Sequence, residues 1–363
     1  MKADQANQLA PEDALRLSVL LAGEVQAVRL DERAPALHAL TPRGEARIAL
    51  HPDGRTEQYL MRVRGLLGGH ALGSPGGYPV HLKRWTRMGQ VGPNKLSALL
   101  LLGEDEAVAA VAHAPGLTDE LARRAWWAAP SIENARSMLG NPEVARGAMG
   151  KPLADFLIEH LPFEEDPVAA MNSVRVVLAA GQPDAPGRLA LWARARTRPH
   201  YFIGFLEYLP DALPGDEPPQ ECAAAVSSLA AAGNAWAIAL ARARSASGQS
   251  FLKAAAAVLD KPAVPDAVYA LFDAIGAWCG ALADAPGRTE LAHAAPGHAA
   301  AIAALSALSG LDAAAAAPIL GRSSAVGALM RRQLEPLAAP LMGHLRALRQ
   351  AAPPSLTIDP DRT

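Results

Sequence analysis

The segment EDPVAAMNSVRVVLAAG, residues 165–181, contains the pattern that decides the fold of most of this chain. Asp166 occupies the position of a helix N-cap, and Pro167 follows at the first helical position. Proline is tolerated there because a backbone N–H at this position would have no acceptor within the helix. An apolar helical stretch comes next, and a glycine ends it. The segment NPEVARG, residues 141–147, repeats the arrangement with an asparagine and a proline. The pattern predicts a short, capped helix at each place.

The same alternation extends over most of the sequence. From about residue 93 onward, apolar segments of roughly 8–16 residues are separated by short breaks that contain Pro, Gly, Asn or Asp. We expect about fifteen short helices and no strand in this region. Such a succession is typical of stacked antiparallel helix pairs, so the sequence predicts an all-α, HEAT/armadillo-like helical-repeat domain over residues 93–352. Because no crisp repeat period is visible, a compact all-α domain is the alternative.

The first 92 residues predict a small α+β domain. A proline-started helix spans residues 11–23, and a hairpin spans residues 36–50, where apolar and polar side chains alternate with strand period. A second amphipathic helix covers residues 59–67. Residues 353–363 are polar and proline-rich, and we expect a flexible tail there. The whole chain is therefore expected to be mostly α.

Length and charge narrow the class of protein. The chain has 363 residues, half of them apolar, and a net charge of −2. The chain is longer than a usual single domain. Its slightly negative net charge disfavours a protein that binds nucleic acid over its whole surface. No secretory signal and no unbroken apolar span is visible, so we expect a soluble, cytoplasmic protein that does not bind a membrane. Its two cysteines, Cys222 and Cys279, are expected to be free thiols.

The sequence contains no motif of a known catalytic or metal site. Walker A, HExxH, CxxC and GxSxG patterns are missing, and the glycine-rich stretch at residues 68–79 lacks the GxGxxG spacing. The ten histidines are scattered, and an acidic turn near His160 is better explained as the start of the next helix than as a metal site. We therefore predict no catalytic residue, no metal and no cofactor, and a protein that is not an enzyme.

A long gap in acidic residues is the strongest feature of the N-terminal region. No Asp or Glu occurs between Glu57 and Glu104. The basic residues within the gap are Arg62, Arg64, Lys83, Arg84, Arg87 and Lys95. In YPVHLKRW, residues 78–85, strand alternation would place His81, Lys83 and Trp85 on one face. Cations beside an aromatic plane suit phosphate or single-stranded nucleic acid.

A second basic stretch, residues 185–202, adds Arg194 and Arg198, which helical spacing would place on one face. The predicted anion- or partner-binding residues are His81, Lys83, Arg84, Trp85, Arg87, Arg194 and Arg198. In the alternative interpretation, Trp85 belongs to the core, the arginines of the acid-free stretch reach acidic helix ends of the second region, and Arg194 and Arg198 belong to a solvated basic face. The sequence leaves both interpretations open.

Three strings, GGHALGSPGGYPVHLKRWTRMGQ, HAPGLTDELARRAWW and EHLPFEED, resemble those of the DsrS family. These are accessory proteins encoded with the dissimilatory sulfite reductase genes of sulfur-oxidising bacteria. The resemblance is strongest over residues 59–166 and implies a cytoplasmic protein that regulates or supports sulfur oxidation. It implies no cofactor and no catalytic residues.

Three functions follow as expectations. The first is a non-enzymatic accessory or regulatory protein that binds another protein of the sulfur-oxidation pathway. The second is an RNA- or anion-binding regulator that uses residues 78–90. The third is an enzyme with a site at the junction of the two domains, lined by His70, His81, Lys83 and Arg87.

Overall fold

The computed structural model describes residues 9–72, 93–215, 217–321 and 325–350. The described residues are 66% helical, and they form nineteen α-helices and one three-stranded antiparallel sheet near the N-terminus. This confirms a mostly helical protein with α+β structure in its first part. After residue 49, the described ranges contain no strand.

Two compact units divide the chain, one from Met1 to His160 and one from Leu161 to Thr363. The predicted boundary at residues 92–93 therefore falls inside the first unit. The reason is that helices beyond residue 93 pack on the sheet: the Val28 N–H donates to the Leu100 carbonyl at 2.8 Å, and Arg123 donates to the Gln26 side chain at 3.0 Å. Segments on both sides of the predicted boundary thus belong to one unit.

The first unit contains the sheet and eight described helices. Its elements are α1 (Pro11–Leu21), β1 (Ala27–Asp31), β2 (Ala36–Thr41), β3 (Gly44–Ala49), α2 (Thr56–Leu72), α3 (Pro93–Leu99), α4 (Asp105–Ala112), α5 (Asp119–Ala128), α6 (Ile132–Leu139), α7 (Pro142–Arg146) and α8 (Gly150–His160). The strands form a β1-β2-β3 meander, in which Ala36 pairs with Ala49 and Thr41 with Gly44. The predicted hairpin over residues 36–50 is confirmed.

A buried carboxylate ties α1 to the segments that follow the sheet. Asp13 is fully buried and accepts hydrogen bonds from the Tyr59 hydroxyl, the His51 backbone N–H at 2.7 Å and the His51 ring at 2.9 Å. Burial works against ionisation of Asp13, but these donors outweigh it and lower its pKa. Burial, together with the nearby carboxylate, raises the pKa of Tyr59 to about 12. The hydrogen bonds from Tyr59 and His51 thus take the place of the water molecules that would solvate the Asp13 carboxylate if it were exposed.

In the described residues of the second unit, all regular secondary structure is helical. Its helices are α9 (Pro167–Ala179), α10 (Ala185–Ala195), α11 (Phe202–Tyr208), α12 (Ala224–Ala231), α13 (Ala235–Arg244), α14 (Ala246–Asp260), α15 (Pro265–Cys279), α16 (Arg288–Ala294), α17 (Ala299–Leu308), α18 (Ala317–Leu320) and α19 (Gly327–Arg349). One continuous core joins them, with Trp236, Tyr201, Phe205, Phe251 and Phe272 fully buried.

Several predicted helix starts are confirmed by side-chain caps. Asp166 accepts from the backbone N–H groups of Val168 and Ala169 at 3.1 and 3.2 Å, and Asn141 accepts from the Glu143 N–H at 2.9 Å. Each cap satisfies donors that the first helical turn leaves unpaired, and is worth about 1 kcal/mol.

Two other sequence features can be compared with the structure. Cys222 is half-buried, Cys279 is buried, and both are free thiols. No single helix of the described chain is both long and apolar enough to cross a bilayer; α16 and the segment Pro296–Leu308 meet that criterion only together, across a bend of 115°.

Candidate functional site

Most of the predicted binding residues cannot be placed. His81, Lys83, Arg84, Trp85 and Arg87 lie outside the described residues, within the range 73–92. Their role in binding RNA or anions therefore stays a prediction. Of the histidines proposed to line an enzyme site, His70 is exposed on α2.

Two arginines of the acid-free stretch are placed, and both pair with carboxylates of their own unit. The Arg62 guanidinium lies 2.9 Å from Asp53, and the Arg64 guanidinium lies 2.7 Å from Glu32. Arg62 also lies over the Tyr59 ring, 5.0 Å from its centroid. These two arginines are thus paired internally, but with carboxylates of the first 92 residues and not with helix ends of the second region.

The expectation that Arg194 and Arg198 share a helix face is wrong. Helix α10 ends at Ala195, and Arg198 has a non-helical backbone, with φ −127° and ψ 80°. The cause is Pro199, since a proline disfavours the helical conformation of the residue before it. Arg198 instead donates to the Tyr201 hydroxyl at 3.0 Å and to the Glu164 carbonyl at 3.3 Å. Arg194 is exposed on α10, and its proposed binding role is untested.

A groove along α19 is a large concave surface of the second unit. It has a volume of about 870 Å³ and runs between one face of α19 and the C-terminal end of α14. We call it the α19 groove; its lining residues are Leu259, Asp260, Pro262, Ala328, Arg331, Arg332, Leu334, Glu335, Ala338, Ala339, Met342 and Arg346. The α19 members recur every three or four positions, which is the spacing of one helical face.

The charges of the α19 groove are of both signs, and they are exposed. Arg331, Arg332 and Arg346 provide three cations, while Asp260 and Glu335 provide two carboxylates. No ion pair or side-chain hydrogen bond joins any of these five to another described residue. Between them lie the alanines and Met342, a small apolar strip. The groove therefore combines an apolar floor with free groups that can form ion pairs.

The position of α19 is fixed by its buried face and by its C-terminal end. Leu334, Leu341 and Leu345 of this helix are buried, and the helix packs against α13, α14 and α17. The Arg244 guanidinium donates to the Gln350 carbonyl at 2.6 Å, and the Gln249 amide donates to the Leu348 carbonyl at 3.2 Å. A cation and an amide thus satisfy the carbonyl groups at the negative end of the helix dipole. The groove is consequently built on a fixed element.

Comparisons with known proteins give no further guide. No protein-family model, no curated protein and no solved structure matches the chain. Among the residues that the structure describes, no group of three or more His, Cys, Asp or Glu side chains could hold a metal ion.

Sequence reasoning missed the α19 groove. Its opposite wall comes from α14, about seventy residues earlier in the chain. One signal was available: Arg331, Glu335, Ala338, Met342 and Arg346 recur at helical spacing and form a stripe of charged and small side chains. That stripe could indicate an exposed face, although not what lies beside it.

Proposed function

We propose that this chain is a non-enzymatic accessory or regulatory protein, and that it binds a partner protein through the α19 groove. The observation that carries the proposal is the set of five exposed, unpaired charges around an apolar strip. Single surface charges are common, but a concave surface with an apolar floor and charges of both signs is the pattern of a protein-binding site. Its occupant is a helical or extended segment with apolar residues flanked by acidic and basic ones.

The mixed charge favours a protein over a nucleic acid as the partner. A groove that tracks a phosphate backbone is lined by cations, because every nucleotide brings a negative charge. The carboxylates of Asp260 and Glu335, which also line the groove, would repel that backbone. On a protein partner, the same two carboxylates find lysine or arginine side chains, so both signs of charge contribute to specificity.

Exposed apolar side chains at the start of α19 extend the proposed contact area. Val326 and Leu329 are 61% and 50% exposed, and Ala328 between them lines the groove. Isolated exposed apolar residues are ordinary, but these adjoin the groove floor. They enlarge the apolar part of the surface that a partner would cover.

The wider setting of the proposal follows the DsrS resemblance. We infer a cytoplasmic role in support or regulation of dissimilatory sulfur oxidation, with a partner from that pathway. The HEAT/armadillo-like architecture predicted for residues 93–352 is part of the same proposal. Contacts between successive helices, α12 with α13, α13 with α14 and α14 with α15, favour it, because stacked repeats contact their sequence neighbours. The packing of α19 against α13, α14 and α17 favours the compact alternative.

Site-specific photo-crosslinking tests the proposal. The photoreactive residue p-benzoylphenylalanine replaces Ala339 in the groove, and, as a matched control, Ala193, which is also an exposed helical alanine of the second unit. Illumination in an extract of sulfur-grown cells should give one protein adduct at position 339 and none at position 193. The adduct should disappear when Glu335→Arg is added, because the groove then loses one of its two carboxylates.

Other results would overturn the assignment. Equal adducts at both positions would indicate non-specific contact. An adduct formed only within the chain would show that its own C-terminal segment covers the groove. An adduct with nucleic acid would instead favour the RNA-binding alternative.

The RNA-binding alternative has a separate test, because its residues are different. Single-stranded RNA should bind the parent chain and lose affinity steeply with salt. The double change Arg84→Glu and Arg87→Glu should abolish that binding and leave the circular dichroism spectrum unchanged. A parent chain that does not bind RNA removes this alternative.

A further inference from the structure

A second cavity in the same unit has the chemistry of a small-molecule site. Its volume is about 510 Å³, and it opens between α10, α14 and the residues Gly215 and Glu217. Such a volume is typical of sites for small organic ligands. We call it the Ser250 cavity; the residues that matter for its chemistry are Trp192, Arg196, Phe202, Glu217, Ser250 and Lys253.

The central observation is an unsatisfied hydroxyl group. Ser250 is one of the residues that line the cavity; it is 1% exposed, and its buried Oγ has no hydrogen-bond partner among the described residues. A serine within a helix commonly donates to the carbonyl of the preceding turn, and this one does not. A buried hydroxyl without a partner is costly to folding and is rare in native proteins. A ligand in the cavity would supply the missing partner.

One wall of the cavity is aromatic and fixed. The Trp192 ring packs edge-on against Phe202 and Phe205, with centroid distances of 4.6 and 5.0 Å. Ala254 and Ala257 lie on the same face of α14 as Ser250, at helical spacing, and they leave space rather than filling it. A flat apolar group fits between an aromatic wall and small side chains.

The cavity carries an excess of positive charge. Arg196, at the end of α10, is exposed and has no ion-pair partner in the ranges that the structure covers. Lys253 pairs with Glu217, which also accepts from Arg349 at 3.1 Å. Glu217 therefore compensates Lys253, whereas the guanidinium of Arg196 has no counter-ion and is available to a ligand of opposite sign. A guanidinium binds a carboxylate through two parallel hydrogen bonds.

We propose that the Ser250 cavity binds a small organic monoanion that consists of a flat apolar ring system and one carboxylate. Arg196 pairs with the carboxylate, Ser250 hydrogen-bonds to the ligand, and the Trp192 and Phe202 rings contact its apolar part. Because the lining contains a single uncompensated cation, the cavity favours a monoanion over ligands with several negative charges. This site is separate from the α19 groove, and it can be tested without knowledge of any protein partner.

Isothermal titration calorimetry with 2-naphthoate as the probe tests the site on the full chain. We expect saturable 1:1 binding with a Kd on the order of 1 mM or tighter. The uncharged amide of equal shape, 2-naphthamide, should bind at least about tenfold more weakly, because it lacks the charge that Arg196 recognises. Equal affinity for the two compounds, or no saturable binding of the acid, would overturn the proposal.

Variants separate a binding role from a structural one. Arg196→Gln should weaken 2-naphthoate binding about tenfold, while Arg43→Gln, at an exposed arginine in the turn between β2 and β3, should leave it unchanged. Ser250→Ala should lower affinity several-fold and yet leave the melting temperature equal or higher, because it removes an unsatisfied buried hydroxyl. A variant at Ser250 that melts earlier and binds as the parent does would show a structural hydroxyl and refute its assigned role.

Discussion

At the scale of single residues, the burial of His200 makes the stability of the fold depend on pH. His200 is 8% exposed, and its Nε2 has no hydrogen-bond partner among the residues that are described. Burial, and then the nearby Arg198 guanidinium, lower its pKa from 6.5 to about 4. The folded chain therefore holds this ring neutral at pH values where the unfolded chain protonates it.

The sign of the resulting pH dependence is determined by this difference. Above pH 6.5, His200 is neutral in both the folded and the unfolded chain, and its contribution to stability is fully present. Between pH 6.5 and pH 4, His200 gains a proton only in the unfolded chain, so the free energy of unfolding falls as the pH decreases. From pH 7.5 to pH 5 we expect His200 to account for a loss of about 2 kcal/mol. Urea unfolding of the parent and of His200→Gln at both pH values measures it, and the variant should lose less stability on acidification. The exposed His293→Gln variant is the control, and a loss identical in all three proteins would contradict the assignment.

Residues that act through local sequence are the ones that could be predicted. Asp166 and Asn141 cap their helices as expected, because an N-cap bonds only to residues two or three positions ahead. The burial of His200 and the orphaned hydroxyl of Ser250 could not be predicted. Both depend on side chains brought from other helices, and no local spacing encodes them.

At the scale of elements, the pentapeptide DAPGR shows how tertiary contacts change a local signal. At residues 184–188, Asp184 accepts from the Gly187 N–H at 2.8 Å and caps α10. At residues 284–288, α16 begins only at Arg288, and Gly287 has a φ of +97°. There the Asn234 amide donates to the Gly287 carbonyl at 3.1 Å. Both copies therefore lie at the start of a helix, but only the first supplies a side-chain cap.

Helix α19 is the element whose length the sequence patterns predict least well. Its 23 residues include Pro336 and Pro340, which we would expect to separate short helices. Both prolines are exposed, so the carbonyl groups that lose an N–H partner face water. The opposite face buries Leu334, Leu341 and Leu345, and this burial keeps the helix continuous. The α19 groove depends on that continuity.

Two helical glycines give opposite expectations for the same substitution. An added Cβ at Gly276 of α15 would lie 1.9 Å from the Leu311 carbonyl oxygen, whereas at Gly343 of α19 it would meet nothing within 4 Å. Gly276→Ala should destabilise the protein by about 1–3 kcal/mol, because backbone has to move. Gly343→Ala should stabilise it by roughly 0.5–1 kcal/mol, because alanine loses less conformational entropy in a helix. The measurement is the urea unfolding midpoint of each variant relative to the parent. If both midpoints shifted in the same direction, this account of the α15 packing would be contradicted.

At the scale of the whole molecule, the two functional hypotheses belong to different units. The acid-free segment, including Arg84 and Arg87, belongs to the first unit, and the α19 groove belongs to the second. The sequence drew attention to the first because a run without acids is visible in a string of letters. The groove becomes visible only when α14 and α19 are packed together, so the strongest candidate surface lay outside what the sequence predicted.

A crossed pair of charge reversals decides which unit binds the partner. We expect Arg331→Glu with Arg332→Glu to lower the yield of the crosslinked partner adduct at position 339 about tenfold, and Arg84→Glu with Arg87→Glu to leave it unchanged. Each double variant removes two cations and adds two carboxylates, so the change in net charge is the same. Because the groove contributes charges of both signs and an apolar floor, the adduct should also decline only modestly between about 50 and 500 mM salt. The reverse ranking of the two variants, together with a steep decline in salt, would place the function on the basic segment of the first unit instead.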